Sequence, residues 1–137
     1  MFITHNKVRM NDTDMAGILY FANQFRFVHD AWEDLVEAEN ISFQQILTTE
    51  NFLFVIVHVE ADYLKVLNVG DKLEIHVQVE NIGNSSFTMV YHIYKHDKTL
   101  VGKSKTVHVT IDKVSRKKIP IPEHLKKLLH KHVVPIL

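Results

Sequence analysis

Asp12-Thr13-Asp14 is followed by Met15, Ala16 and Gly17, and then by the longest helical pattern in the chain. Short acidic residues beside a helix start can bond their own backbone and cap the turn. Alternatively, one of them stays free as a base or nucleophile. A free carboxylate there would sit next to the unpaired N–H groups of the first helical turn, whose positive dipole end polarises a carbonyl. Residue chemistry by itself favours capping for both acids. The chain has no cysteine, so a thiol nucleophile, a thiolate metal site and a disulfide framework are all absent. No serine sits in a nucleophile-elbow context. A calcium loop starting at Asp12 would use Asp14 and Gly17, but it needs an acid or amide at Ala16 and a glutamate at Asn23. A haloacid-dehalogenase Asp-x-Asp site needs a parallel sheet of alternating strands and helices, a pattern this chain lacks.

The ten histidines invite a metal hypothesis. His58, His76, His92 and His108 fall on expected strands without close ligand spacing. His130 and His132 lie two apart on an expected helix and so diverge. No metal site is expected. His29 lies off the main apolar stripe, one turn from Phe25, and reads as a buried or interface histidine.

The elements that must hold the acidic segment follow from periodicity. Residues 2–10 form a first strand, broken by Asn11 to Asp14. Gly17 allows a tight turn. A helix is expected from Gly17 or Leu19 to about Glu39, with Phe21, Phe25, Val28, Trp32 and Leu35 as its buried stripe. Its acids, Asp30, Glu33, Asp34 and Glu37, lie mainly off that stripe. Ser42 caps a short helix over 42–47. Beyond residue 50 the period becomes two, giving strands over 52–64, 72–81, 86–95 and 100–111. Pro122 starts a last helix over 123–132. One helix followed by a run of strands argues a single α+β domain over residues 1–137, with a five-stranded antiparallel sheet wrapped around one long central helix. An outer sheet face still apolar at Phe52, Phe54 and Ile56 predicts a homo-oligomer, most simply a two-fold dimer.

With 46% apolar and 23% charged residues the chain can bury a core, which excludes a disordered segment. No apolar run approaches the ~20 residues that cross a bilayer. The N-terminal residues alternate and are polar, unlike a signal peptide. A cytoplasmic protein without a membrane partner is expected. Acids and bases balance at 16 each, but unevenly along the chain. Residues 1–62 hold ten acids and three bases; residues 63–137 hold six acids and thirteen bases. That asymmetry suits either self-association through opposite faces or cations for a small phosphorylated ligand. Nucleic acid is not expected, because no dense basic cluster with interleaved aromatics occurs.

The segment Asp12-Thr13-Asp14-Met15-Ala16-Gly17-Ile18-Leu19-Tyr20-Phe21-Ala22-Asn23 resembles the signature of hotdog-fold acyl-CoA thioesterases of the 4-hydroxybenzoyl-CoA type. Asp62-Tyr63 and Val69-Gly70-Asp71-Lys72-Leu73 extend the likeness. Tyr20-Phe21, Asn23-Gln24-Phe25, His29, Ser42, Gln45-Ile46 and Val57-His58 look most like the 1,4-dihydroxy-2-naphthoyl-CoA hydrolases of menaquinone and phylloquinone synthesis. The resemblance implies hydrolysis of an acyl-CoA thioester without metal or organic cofactor. The place of Asp14 ahead of the helix and the charge asymmetry predict a site between the subunits of a dimer or tetramer. The resemblance also implies Asp14 as nucleophile or general base, the backbone N–H of Phe21 as oxyanion donor, and Asp12 as a structural residue. Gly17, Tyr20 and His58 become candidate substrate contacts. Relatives place basic residues before the fourth strand to grip coenzyme A phosphates, but here that place reads Gly83-Asn84-Ser85-Ser86. The grip is then expected from Lys103, Lys105 or the run beginning at Arg116.

Overall fold

The computed structural model describes residues 1–133. Strand β1 is Phe2–Lys7, helix α1 is Asn23–Ala38 and helix α2 is Phe43–Thr48. Strands β2 (Phe52–Tyr63), β3 (Lys72–Ile82), β4 (Ser86–Lys95) and β5 (Leu100–Asp112) follow, and α3 (Glu123–His130) closes the chain. The strands make one sheet in the order β1-β3-β4-β5-β2, every neighbouring pair antiparallel. Helix α1 lies across its concave face.

Alternation decides which side of the sheet is buried. Leu73, Ile75, Val77 and Val79 of β3 and Phe87, Met89, Tyr91 and Ile93 of β4 all point at α1 and are sealed from solvent. Each such large side chain contributes roughly 1.5–3 kcal/mol on burial. Trp32 anchors the helix to this floor, with its ring 5.4 Å from Phe87 and 4.8 Å from His108. Strand β5 differs. Its inward row is Gly102, Ser104, Thr106, His108 and Thr110, all buried, so a polar seam runs beneath the helix.

Three expectations need correction. Helix α1 starts at Asn23, not at Gly17 or Leu19, because residues 14–19 fold back on themselves: Asp14 N–H donates to Ile18 O at 2.9 Å, and Thr13 pairs with Leu19. Its buried face is Gln24, Phe27, Val28, Ala31, Trp32, Leu35 and Val36, while Phe21 is exposed and Phe25 half-buried. Phe52 and Phe54 do not lie on the outer sheet face. Both pack inward, with Phe54 edge-on to Trp32 at 6.1 Å. The exposed apolar residues of β2 are Ile56, Val57 and Val59. They fall at a bulge between Ile56 and His58, which reverses the alternation. Strand β2 is also a sheet edge, so one side of its backbone has no neighbour among the described residues.

Candidate active site

The acidic segment becomes a tight loop held onto the front of α1. Asp12 is 2% exposed and accepts from Nε and Nη2 of Arg26 and from the amide of Arg9. Its own carbonyl accepts from Tyr20 N–H and from the Asn23 side chain. Asp12 is therefore the fastener between loop and helix. Removing its carboxylate strands Arg9 N–H and a half-solvated Arg26. Asp12→Ala is expected to cost about 2 kcal/mol, read as a fall in the urea midpoint. A change below about 0.5 kcal/mol would show that the pair holds nothing.

Asp14 has a different environment. It is exposed, and one carboxylate oxygen accepts the Ala16 amide at 2.8 Å. No cation lies within ion-pair distance of it among the described residues. Gly17 sits at the loop tip with φ +77, a conformation that L side chains rarely adopt, and donates to Asp14 O. Together these bonds present the free carboxylate oxygen to a cavity of about 350 Å³. Phe21, Gln24, Tyr63, Lys65 and Val101 are among the residues lining it.

Phe21 is on the same wall. Among the described residues, the amides of Phe21 and Ala22 have no protein acceptor. Their directions are nonetheless fixed. A trans peptide points its N–H opposite to its C=O. The Tyr20 carbonyl accepts Asn23 N–H at 2.9 Å, which aims the Phe21 amide away from the helix. The Phe21 carbonyl accepts the Tyr63 hydroxyl at 2.7 Å, which aims the Ala22 amide likewise. These are the orphan donors of a helix N-terminus, held rigid and open to a ligand.

Sequence reading overlooked the two supports of this wall. Tyr63 reaches it from the end of β2. Gln24 is buried, and its side-chain amide donates to Ser104 Oγ at 2.9 Å and to the Lys103 carbonyl at 3.0 Å. An added Cβ at Gly102 would stand 2.7 Å from the Gln24 carbonyl oxygen, so a glycine there lets the helix settle on β5. The one available signal was the alternating row of small residues Gly102, Ser104 and Thr106 in β5.

The other candidates lie apart from Asp14 within one chain. Tyr20 is exposed, with its ring against Phe21 at 4.9 Å. His58 stands beside the β2 bulge, exposed, 3.0 Å from Glu60. Lys103 and Lys105 are on the convex face of the sheet, and Lys105 pairs with Glu80 at 3.0 Å. Arg116 lies past the far end of β5, in a turn with φ 64; a strand of that length puts it roughly 35 Å from Val101. The cation nearest Asp14 in the chain's own cavity is Lys65. A larger hollow, about 580 Å³, lies between β1 and the acidic side of α1. It is an open polar groove remote from Asp14. Among the described residues no cluster of metal-ligating side chains occurs, and no helix is long and apolar enough to cross a membrane.

A five-stranded antiparallel sheet packed on one long central helix is the architecture of a hotdog fold. The chain belongs to the thioesterase-like superfamily, whose family model matches residues 8–129. A 1,4-dihydroxy-2-naphthoyl-CoA hydrolase from Nostoc punctiforme is 38% identical over 94% of this chain and 87% of its own length. The enzyme of the same name from Prochlorococcus marinus is 32% identical over 90% of this chain and 83% of its own. The crystal structure of a 1,4-dihydroxy-2-naphthoyl-CoA thioesterase from Synechocystis superposes with a TM-score of 0.89, at 28% identity, covering 94% of this chain and 95% of that one.

Proposed function

We propose that this protein hydrolyses an aryl-CoA thioester, of the 1,4-dihydroxy-2-naphthoyl-CoA kind, to the free acid and coenzyme A. The observation that carries the reading is that the Asp14 carboxylate, free of any cation among the described residues, and the unpaired Phe21 amide belong to residues lining one cavity. The thioester carbonyl oxygen sits on that amide, which stabilises the charge that develops as the carbon becomes tetrahedral. Asp14 either attacks the carbon, giving an anhydride that water opens, or takes a proton from the attacking water. In both routes the new C–O bond replaces the C–S bond. Coenzyme A leaves as thiolate and is then protonated.

The site is completed by a second copy of the chain. Strand β2 offers an unpaired edge with Ile56, Val57 and Val59 exposed, the kind of edge that pairs with another strand. An isologous pairing along its whole length sets the Tyr63 end of one strand beside the Phe52 end of the other. One chain's Asp14 cavity then opens onto the aromatic hollow beside the other chain's Leu53 and Phe54. Gly17 shapes the loop, and Tyr20 and His58 flank the joined site. Coenzyme A phosphates are gripped by Lys65 at the cavity, with Lys103, Lys105 and Arg116 available from neighbouring copies.

A panel of acyl-CoA thioesters tests this. Aryl-CoA substrates should turn over with kcat/KM at least about 10-fold above straight-chain acyl-CoA. A preference for long aliphatic chains would favour a fatty acyl-CoA or acyl-carrier-protein thioesterase instead. Tight acyl-CoA binding with no turnover would favour a non-catalytic acyl-binding protein.

A further inference from the structure

A second hollow lies under α1, on the side away from the Asp14 cavity. It consists of two adjoining spaces, about 90 and about 270 Å³, which share His29, Trp32, Ile56 and His108. Its walls are almost wholly apolar, with Phe25, Phe43 and Phe54 among them. A cavity of about 150 Å³ accepts a benzene ring, so the larger space has room for a ring with substituents.

The polar side chains of the lining are the exposed His29 and Glu33 and the buried Tyr91, Thr106 and His108. His108 is 1% exposed, stacked flat on Phe87 at 4.9 Å and packed against Trp32. Its Nε2 lies 2.8 Å from Thr106 Oγ1, which lies 3.0 Å from the Tyr91 hydroxyl. The direction of this chain follows from what is buried. Tyr91 is 1% exposed, and Thr106 is its sole side-chain partner among the described residues. If Thr106 donated to Tyr91, the phenol proton would have no protein acceptor among the described residues, at a cost. So Tyr91 donates to Thr106, and Thr106 donates to His108 Nε2. Burial, with the charge of His29 adding to it, pushes the His108 pKa down to about 4, so the ring is neutral at pH 7. Its one proton is then on Nδ1. That N–H has no hydrogen-bond partner among the described residues, on a ring that lines both spaces.

We infer that this hollow is the acyl subsite, and that His108 Nδ1–H donates a hydrogen bond to a ring hydroxyl of the acyl group, making His108 the residue that selects hydroxylated aryl thioesters. This inference rests on the aryl-CoA reading above and adds the determinant of ring chemistry. The aromatic walls hold any flat ring. The orphan N–H is satisfied only by a ring that carries an oxygen, and leaving it unpaired penalises rings that lack one. Tyr91 and Thr106 act through His108 as positioning residues, since they hold its proton on the ring nitrogen that faces the hollow.

The test compares two thioesters that differ in a single group, 1-hydroxy-2-naphthoyl-CoA and 2-naphthoyl-CoA. The wild-type enzyme should favour the hydroxylated one by about 10-fold in kcat/KM. His108→Phe keeps the stack on Phe87 and removes both ring nitrogens. It should bring the ratio within about 2-fold, by a loss on the hydroxylated thioester and a gain on 2-naphthoyl-CoA, which no longer leaves a buried N–H unpaired. His108→Asn, whose amide can donate from near the Nδ1 position, should restore part of the preference. An unchanged ratio in His108→Phe overturns the inference, as does an equal loss on both substrates. A wild-type enzyme with no preference overturns it without any variant. Wild-type inertness towards both thioesters would instead overturn the aryl-CoA reading itself.

Discussion

Asp14→Asn should fold as the wild type does and lose about 10³-fold or more in kcat, with KM little changed. The substitution is nearly isosteric. The side-chain oxygen of asparagine can still accept the Ala16 amide, so the loop keeps the bond that the carboxylate makes at 2.8 Å. The charge and basicity of the free oxygen are lost, and with them either route to the tetrahedral carbon. The Phe21 and Ala22 amides are untouched, so some rate above the uncatalysed reaction should remain. Substrate affinity comes from other contacts, and for that reason KM holds. Near-wild-type turnover in steady-state assays would reduce Asp14 to a turn former.

The second large effect belongs to the edge of the sheet. Val57→Lys together with Val59→Lys should yield a folded monomer whose kcat/KM is down by about 10²-fold or more. Both side chains are exposed on β2, so neither change opens a cavity in the core. Lysines along an edge strand oppose pairing with another strand. On the proposed two-fold pairing, its loss takes away the aromatic wall that faces Asp14. Sedimentation and circular dichroism report the oligomer and the fold separately. A fully active monomer would mean that one chain holds a complete site. An oligomer of unchanged size and rate would mean that copies meet elsewhere.

Much of the architecture can be read from periodicity. The period-two runs in β3 and β4 face the core as their alternation requires, and the turns before β3 and β4 fall at Asn68 to Asp71 and at Gly83-Asn84. The start of α1 is harder. Phe21 and Phe25 keep helical spacing with Val28 and Trp32, so they mimic a buried stripe. The true face is set by Gln24, a polar residue that hydrophobic counting discards, because β5 supplies oxygens beneath it. The β2 face was misjudged for a related reason. Phe52 and Phe54 precede the bulge, and their face follows from pairing opposite Asp112 and Thr110, a register that no residue type announces. Asp14 is visible through the motif around it. Tyr63 and His108 are not, since their roles depend on strand register, which places Tyr63 beside the helix entrance and His108 beneath Trp32.

The central claim is that a thioester carbonyl is held between the Asp14 carboxylate and the amides ahead of α1. A crystal structure of Asp14→Asn with an intact aryl-CoA bound tests it most directly. The account predicts the carbonyl oxygen within about 3 Å of the Phe21 or Ala22 nitrogen, with residue 14 against the carbonyl carbon and the aryl ring among Trp32, Phe54 and His108. A carbonyl turned away from those amides, or a thioester bound out of reach of residue 14, would contradict it.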